Sequence, residues 1–267
     1  MFRRIVVSAL ATLCTVGSVA QEFGHKQTAA ALNEADRSAQ TNRRTGSVGS
    51  AEARISIARL REPREVRRLY EKAMRAWVEH KPAESQRRLD QALKLYPNFP
   101  EALTFYGGID ASFQQWESAE KKLQAAIQSD PSYPPAYVVL AGVYNAEARF
   151  DDAQEATHQA LAAGVDTWEV QYEIARAWIG KKQYETALAV SETALRSKHG
   201  GLLHLAKAHA LLGLQRYQQA VAELKTFVHD EPDGDGSEKA RDLLKRIAST
   251  GERNTRGNGV TATERGD

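Results

Sequence analysis

Through the middle of the chain, large apolar residues recur three or four positions apart, as Tyr137 and Leu140 do, with polar residues between them. That spacing lines one face of an α-helix and predicts a run of amphipathic helices starting after Pro63. The last, "SEKARDLLKRIAS" (237–249), puts charges on one side and Leu243, Leu244 and Ile247 on the other. Before the run, "ISIARL" (55–60) alternates enough to read as extended, within a lead-in over 51–65. Residues 21–50 and 250–267 are polar with few large apolar side chains, too little to offset the entropy of ordering, and read as disordered.

The helical run repeats itself. "YPNFPEALTFYGG" (96–108) and "DPSYPPAYVVLAG" (130–142) share Pro97 with Pro131, Pro100 with Pro134, Ala102 with Ala136 and Gly108 with Gly142, always 34 residues apart. On the same ruler small residues form three columns. One is Ala73, Gly107, Ala141, Ala175 and, one residue early, Ala208. The next is Ser85, Ala119, Ala153, Ala187 and Ala220, and the last is Ala92, Ala126, Ala160 and Ala194, with Phe227 closing it. Trp116, Phe150, Tyr184 and Tyr217 form an aromatic column. Two antiparallel helices approach closely only where the facing side chains are small, because overfilling such a contact costs about 1–3 kcal/mol. Prolines at helix starts lose no needed hydrogen bond, and those after helix ends stop the chain from continuing.

A period of 34 with small columns, an aromatic and a closing proline resembles the tetratricopeptide repeat (TPR) family. The resemblance covers about 66–234, in five units: 66–99, 100–133, 134–167, 168–200 and 201–234. It implies an all-α, right-handed superhelical solenoid of helix-turn-helix repeats with a C-terminal capping helix over 235–249, which gives the array a polar end. Departures stand out: Pro82 takes the aromatic column of the first unit, which predicts a displaced second helix. Gly200-Gly201 stands where a closing proline is expected. The family binds a peptide or a partner's helix along a concave face lined by the first helix of each repeat. Carried onto this chain, that partner-binding groove comprises Tyr70, Met74 and Trp77; Thr104 and Gly108; Val138, Gly142 and Asn145; Tyr172, Arg176 and Ile179; and Leu205 and His209. "ISIARL" is an alternative cover for Tyr70, Met74 and Trp77, whereas Tyr172 and Arg176 are expected to be exposed. The family's carboxylate-clamping subset uses groove lysines that are missing here.

Residues 1–20 stand apart: Arg3 and Arg4, an apolar run from Ile5 to Val16, then Ser18-Val19-Ala20. This is the layout of a secretory signal peptide, and an uncleaved membrane anchor is the alternative. Cys14, the sole cysteine, lies inside it, so a cleaved chain has no disulfide, thiol catalysis or cysteine-bound metal. Loss of Arg3 and Arg4 leaves 34 basic residues facing 34 acidic ones, a balance that argues against nonspecific nucleic-acid binding.

No catalytic constellation, metal site or cofactor motif emerges. His204 and His209, five apart, point to different faces of a helix. "DGDGSE" (233–238) places Glu238 and Leu244 where a calcium loop needs glycine and glutamate, and reads as a turn and cap. The sequence therefore predicts an exported, noncatalytic scaffold with a protein or peptide partner, in the periplasm or outside the cell. The alternatives are a permanently assembled accessory subunit of an envelope complex and an enzyme with an unrecognised site.

Overall fold

The computed structural model describes residues 63–197, 200–232 and 235–259. The leader, the linker and "ISIARL" lie outside them. Among the described residues eleven α-helices and no strands occur: α1 (Arg64–Val78), α2 (Pro82–Leu95), α3 (Pro100–Ser112), α4 (Trp116–Ser129), α5 (Pro134–Ala146), α6 (Phe150–Ala162), α7 (Trp168–Gly180), α8 (Tyr184–Leu195), α9 (Gly201–Gly213), α10 (Tyr217–Asp230) and α11 (Asp235–Gly259). They divide into two compact units, one ending at Asp166 and one beginning at Thr167. In each unit successive helices pair and stack on the next pair, α1–α6 in the first and α7–α10 with α11 in the second. This is the helical-repeat solenoid arrangement expected from the columns.

The columns explain the packing. Ala73, Ala141, Ala175, Ala208, Ser85, Ala119, Ala153, Ala187 and Ala220 are all completely buried. At Gly107 an added Cβ would come within 2.8 Å of Leu123, so even alanine is too large between α3 and α4 without movement of that leucine. The aromatic column is the first residue of each second helix: Trp116, Phe150, Tyr184 and Tyr217. Tyr184 fills the space left by Gly213, where a Cβ would meet its ring at 2.4 Å. Gly200 and Gly201 have a similar steric reason, since a Cβ on either would collide with Trp168 or with Glu231.

One device recurs that no column announces. The turn inside each pair carries one residue in the left-handed region: His80, Gln114, Ala148, Lys182 and Gln215, with φ between 57° and 62°. Each turn makes the same two bonds. In the first, the His80 amide donates to the Trp77 carbonyl and the Lys81 amide to the Ala76 carbonyl. In the last, Gln215 donates to Leu212 and Arg216 to Leu211. This pattern satisfies carbonyls that a helix end leaves orphaned, and glycine usually supplies it. Here five non-glycine residues do.

Three expectations need correction. The second helix of the first pair is not displaced: Pro82 is its first residue, Ser85 is fully buried, and the turn has the same geometry as the other four. Pro needs no amide partner at that position. The lead-in ends at Pro63, whose extended backbone (ψ 136°) caps α1, so Arg64 and Glu65 are already helical. The last helix runs past Ser249 to Gly259, and the tail expected to be disordered is helical over 250–259. No proline interrupts it, and propagating an existing helix costs little per residue. Phe227, the large residue in a small column, is fully buried in one cluster with Ala240 and Leu243 of α11.

Candidate protein-binding face

All thirteen groove residues read from the sequence lie on first helices of pairs: α1, α3 and α5 in the first unit, α7 and α9 in the second. In the first unit, aromatic packing takes up the α1 set. The Tyr70 ring meets Phe99 at 5.4 Å and Phe105 at 6.0 Å, both edge to face, and Trp77 meets Phe105 at 6.3 Å. Trp77 belongs to the same core cluster as Leu89, Phe99 and Ile109, and Met74 is buried as well.

Further along this unit, α3 and α5 pack side by side. Thr104, Val138 and Asn145 are buried, whereas Gly108 and Gly142 are half-buried. The Thr104 hydroxyl has no hydrogen-bond partner among the described residues. One turn on, a Cβ built at Gly108 meets nothing within 4 Å. In contrast to Gly107, whose missing side chain lets α4 approach, Gly108 leaves open space around the position of an added Cβ.

In the second unit, Tyr172 is only 4% exposed, in a cluster with Ala175, Leu203 and Ala206. The expectation of an exposed tyrosine does not hold: its neighbours along α7 and α9 are apolar and enclose the ring. Leu205 is buried and Ile179 packs against the same apolar core. Arg176 keeps partial exposure, stacks over the Tyr172 ring at 5.6 Å and donates to both carboxylate oxygens of Glu173 at 3.0 and 2.8 Å. The His209 Nε2 is enclosed without a partner among the described residues. Burial, aided by the Arg176 charge, pulls its pKa down to about 4, so the ring is neutral at ordinary pH.

Sequence reasoning missed three buried acids on these helices, Glu101, Asp110 and Glu173. The signal for Glu173 was its spacing of three from Arg176, which brings ion-pair partners together on a helix. Other polar groups bind helices to each other. Asp110 accepts from Ser118 and Lys122, both at 2.6 Å, and Lys122 also lies over the Tyr106 ring. Burial first, then Asp90, pushes the Tyr106 hydroxyl up to about 12. Glu120 accepts from Tyr144 at 2.8 Å and from Arg149 at 2.9 Å. Glu223 joins His204 at 2.7 Å and Lys207 at 2.8 Å. Burial works to raise the Glu223 carboxyl, but the hydrogen bonds from His204 and Lys207 outweigh it and hold it below the ordinary range. His204 and His209 thus serve different faces of α9. Among the described residues no group of three or more His, Cys, Asp and Glu is placed to hold a metal, and no helix is long and apolar enough to cross a membrane.

Two family models, each described as tetratricopeptide repeat, match residues 70–134 and 111–179. No curated protein matches the sequence. Among solved structures, a thermophilic TPR protein of Thermus thermophilus superposes with a TM-score of 0.58 at 18% identity, over 69% of this chain and 97% of the other. A tetratricopeptide repeat protein from Parabacteroides merdae gives 0.59 at 14%, over 87% and 84%. MamA of Desulfovibrio magneticus, residues 41 to the end, gives 0.51 at 16%, over 65% and 99%. At these identities the likeness is one of fold.

Proposed function

We propose that this chain, whose residues 70–179 are tetratricopeptide repeats, is a noncatalytic scaffold that receives a peptide or partner helix on the face made by the first helices of its pairs. The observation that carries the reading is the open space at the half-buried Gly108, where an added Cβ would meet nothing within 4 Å. A repeat fold built for packing alone gains about 1 kcal/mol by placing alanine at an unobstructed mid-helix glycine. Open space left at mid-helix on a first helix of a pair instead suits a ligand. The leader Arg3–Ala20 supports export, to the periplasm or beyond the cell.

A photo-crosslinking residue at Gly108, compared with one at the exposed Lys121 or His158, tests the face directly in cells of the source organism. The reading expects a discrete adduct from position 108 and none from the other two. Adducts from the outer positions alone would overturn it. Sequencing the N-terminus of the native protein tests export, with Gln21 expected first. A second reading, a permanent accessory subunit of an envelope assembly, draws on Val78, Leu95 and Phe113, each about half exposed (49%, 52% and 50%). It predicts that the isolated chain self-associates on size-exclusion chromatography, whereas the scaffold reading predicts a monodisperse species.

A further inference from the structure

Two histidines on α9 stand in opposite surroundings. The His204 Nδ1 lies 2.7 Å from one oxygen of Glu223 on α10, and Lys207 bonds the other oxygen at 2.8 Å. An imidazole can donate to that carboxylate whether the ring is neutral or charged. His209 has no such partner. Part of the residue reaches the surface, but its Nε2 is enclosed and without a hydrogen bond among the described residues. The charged neighbour that acts on this ring is a cation, Arg176 of α7.

A proton on the His209 Nε2 makes it a donor, and an enclosed charge without an acceptor is costly. The buried and half-buried carboxylates of the helices packed against α9 are committed elsewhere. Glu173 on α7 accepts from Arg176 through both oxygens, and Glu192 on α8 pairs with Lys207 at 3.6 Å. Glu223 on α10 is held by His204 and Lys207. Glu169 and Lys181 stand at the two ends of α7, and Glu185 on α8 and Lys225 on α10 are exposed. The remainder of the α7–α9 contact is apolar, with Tyr172 and Ala175 clustered with Leu203 and Ala206, and Ile179 packed on them.

We infer that His209 is an acid-operated release for the α7–α9 contact: once protonated, it sets a second cation against Arg176 in an apolar seam, and the two helices part while the α9–α10 contact holds. The direction follows from the surroundings of the ring. Burial, then the Arg176 charge, brings its pKa from 6.5 down to about 4. The contact is therefore complete above about pH 6.5 and weakens as the pH falls toward 4. Glu223 is held below the ordinary carboxylate range by His204 and Lys207, so its bonds to α9 outlast the change at His209. Such an opening is local, confined to one contact of the array. Tyr172, Arg176, Ile179, Leu205 and His209 lie on the two helices that separate, so a partner seated on them is shed on acidification. Only that last step rests on the scaffold reading.

Hydrogen exchange of the full chain between about pH 7 and pH 4.5, read by mass spectrometry and corrected for the intrinsic pH dependence of amide exchange, locates the opening. Protection in α7 and α9 is expected to fall about sixtyfold across that range, while α4 and α10 keep theirs. His209→Gln removes the fall, and His204→Gln leaves it in place. Should the glutamine variant at 209 fail to fold, nuclear magnetic resonance of the parent reads the ring directly, with half-protonation of His209 expected near pH 4. A loss of protection spread equally over α4 would mean general acid unfolding and would overturn the proposal. So would a fall that persists in His209→Gln, or a His209 ring half-protonated at about pH 6 or above. The measurement uses the free chain, so its outcome is independent of Gly108 and of any partner, and the two readings fail separately.

Discussion

The five left-handed turn residues have the most readily measured consequence of any single positions. A non-glycine residue in that region costs about 1–2 kcal/mol, a strain that glycine does not carry. Ala148, exposed and with no side-chain role, is the cleanest of them. Ala148→Gly is expected to raise the melting temperature by about 2–4 °C, less what is lost to the greater freedom of glycine in the unfolded chain. A fall in melting temperature would show that the turn is unstrained. His209 makes a second prediction at this scale. Its ring titrates near 6.5 when unfolded and near 4 when folded, so between those values the unfolded chain binds more protons. Stability is therefore fully present above about pH 6.5 and is lost as pH falls toward 4, on the order of 3 kcal/mol. Thermal melts of the parent and His209→Gln across that window check it, and the variant should show the shallower loss. Neither feature was legible in the sequence. Nothing marks Ala148 or Gln114 as left-handed, and His209 reads only as a groove position until Arg176 and the enclosing helix surfaces are in place.

At the level of elements, the α3–α4 contact depends on a buried charge. Asp110 has almost no exposed side chain and relies on Lys122 and Ser118. Lys122→Met removes the cation and leaves a buried carboxylate, at a cost of about 3–5 kcal/mol, whereas combining it with Asp110→Leu should recover most of that loss. Urea titration of the two variants distinguishes this from simple loss of packing, which predicts additive costs. The α8–α9 contact makes a steric prediction: Gly213→Ala drives a Cβ against the Tyr184 ring and costs about 1–3 kcal/mol. The helices and their pairing were readable because small residues at fixed spacing have few other uses. Their ends were less so. The start of α1 depends on the backbone of Pro63, and the continuation of α11 past Ser249 has no apolar periodicity to announce it. The displacement expected from Pro82 failed for a simple reason. Proline at the first position of a helix replaces the aromatic without disturbing the turn before it.

For the molecule as a whole, the repeat pattern indicated which helices carry the groove columns far better than which of their side chains stay accessible. Column position put Tyr172 and Trp77 on the inner faces, and both are on the expected helices, but large aromatics there are claimed by apolar neighbours from the adjacent pair. Gly108 is open, and it was legible only as a small residue, indistinguishable by type from Gly107, which is tightly enclosed. This contrast gives the most direct test of the account. Gly108→Leu adds a side chain into free space, so helix content and melting temperature should be retained or improved. Partners captured from the source cells by the full chain and by this variant would be quantified side by side by mass spectrometry. A protein recovered with the parent and at least about tenfold less with the variant, a difference of about 1.4 kcal/mol, is the predicted result. Equal recovery, with the variant as stable as the parent, would contradict the assignment of partner binding to the inner helix face.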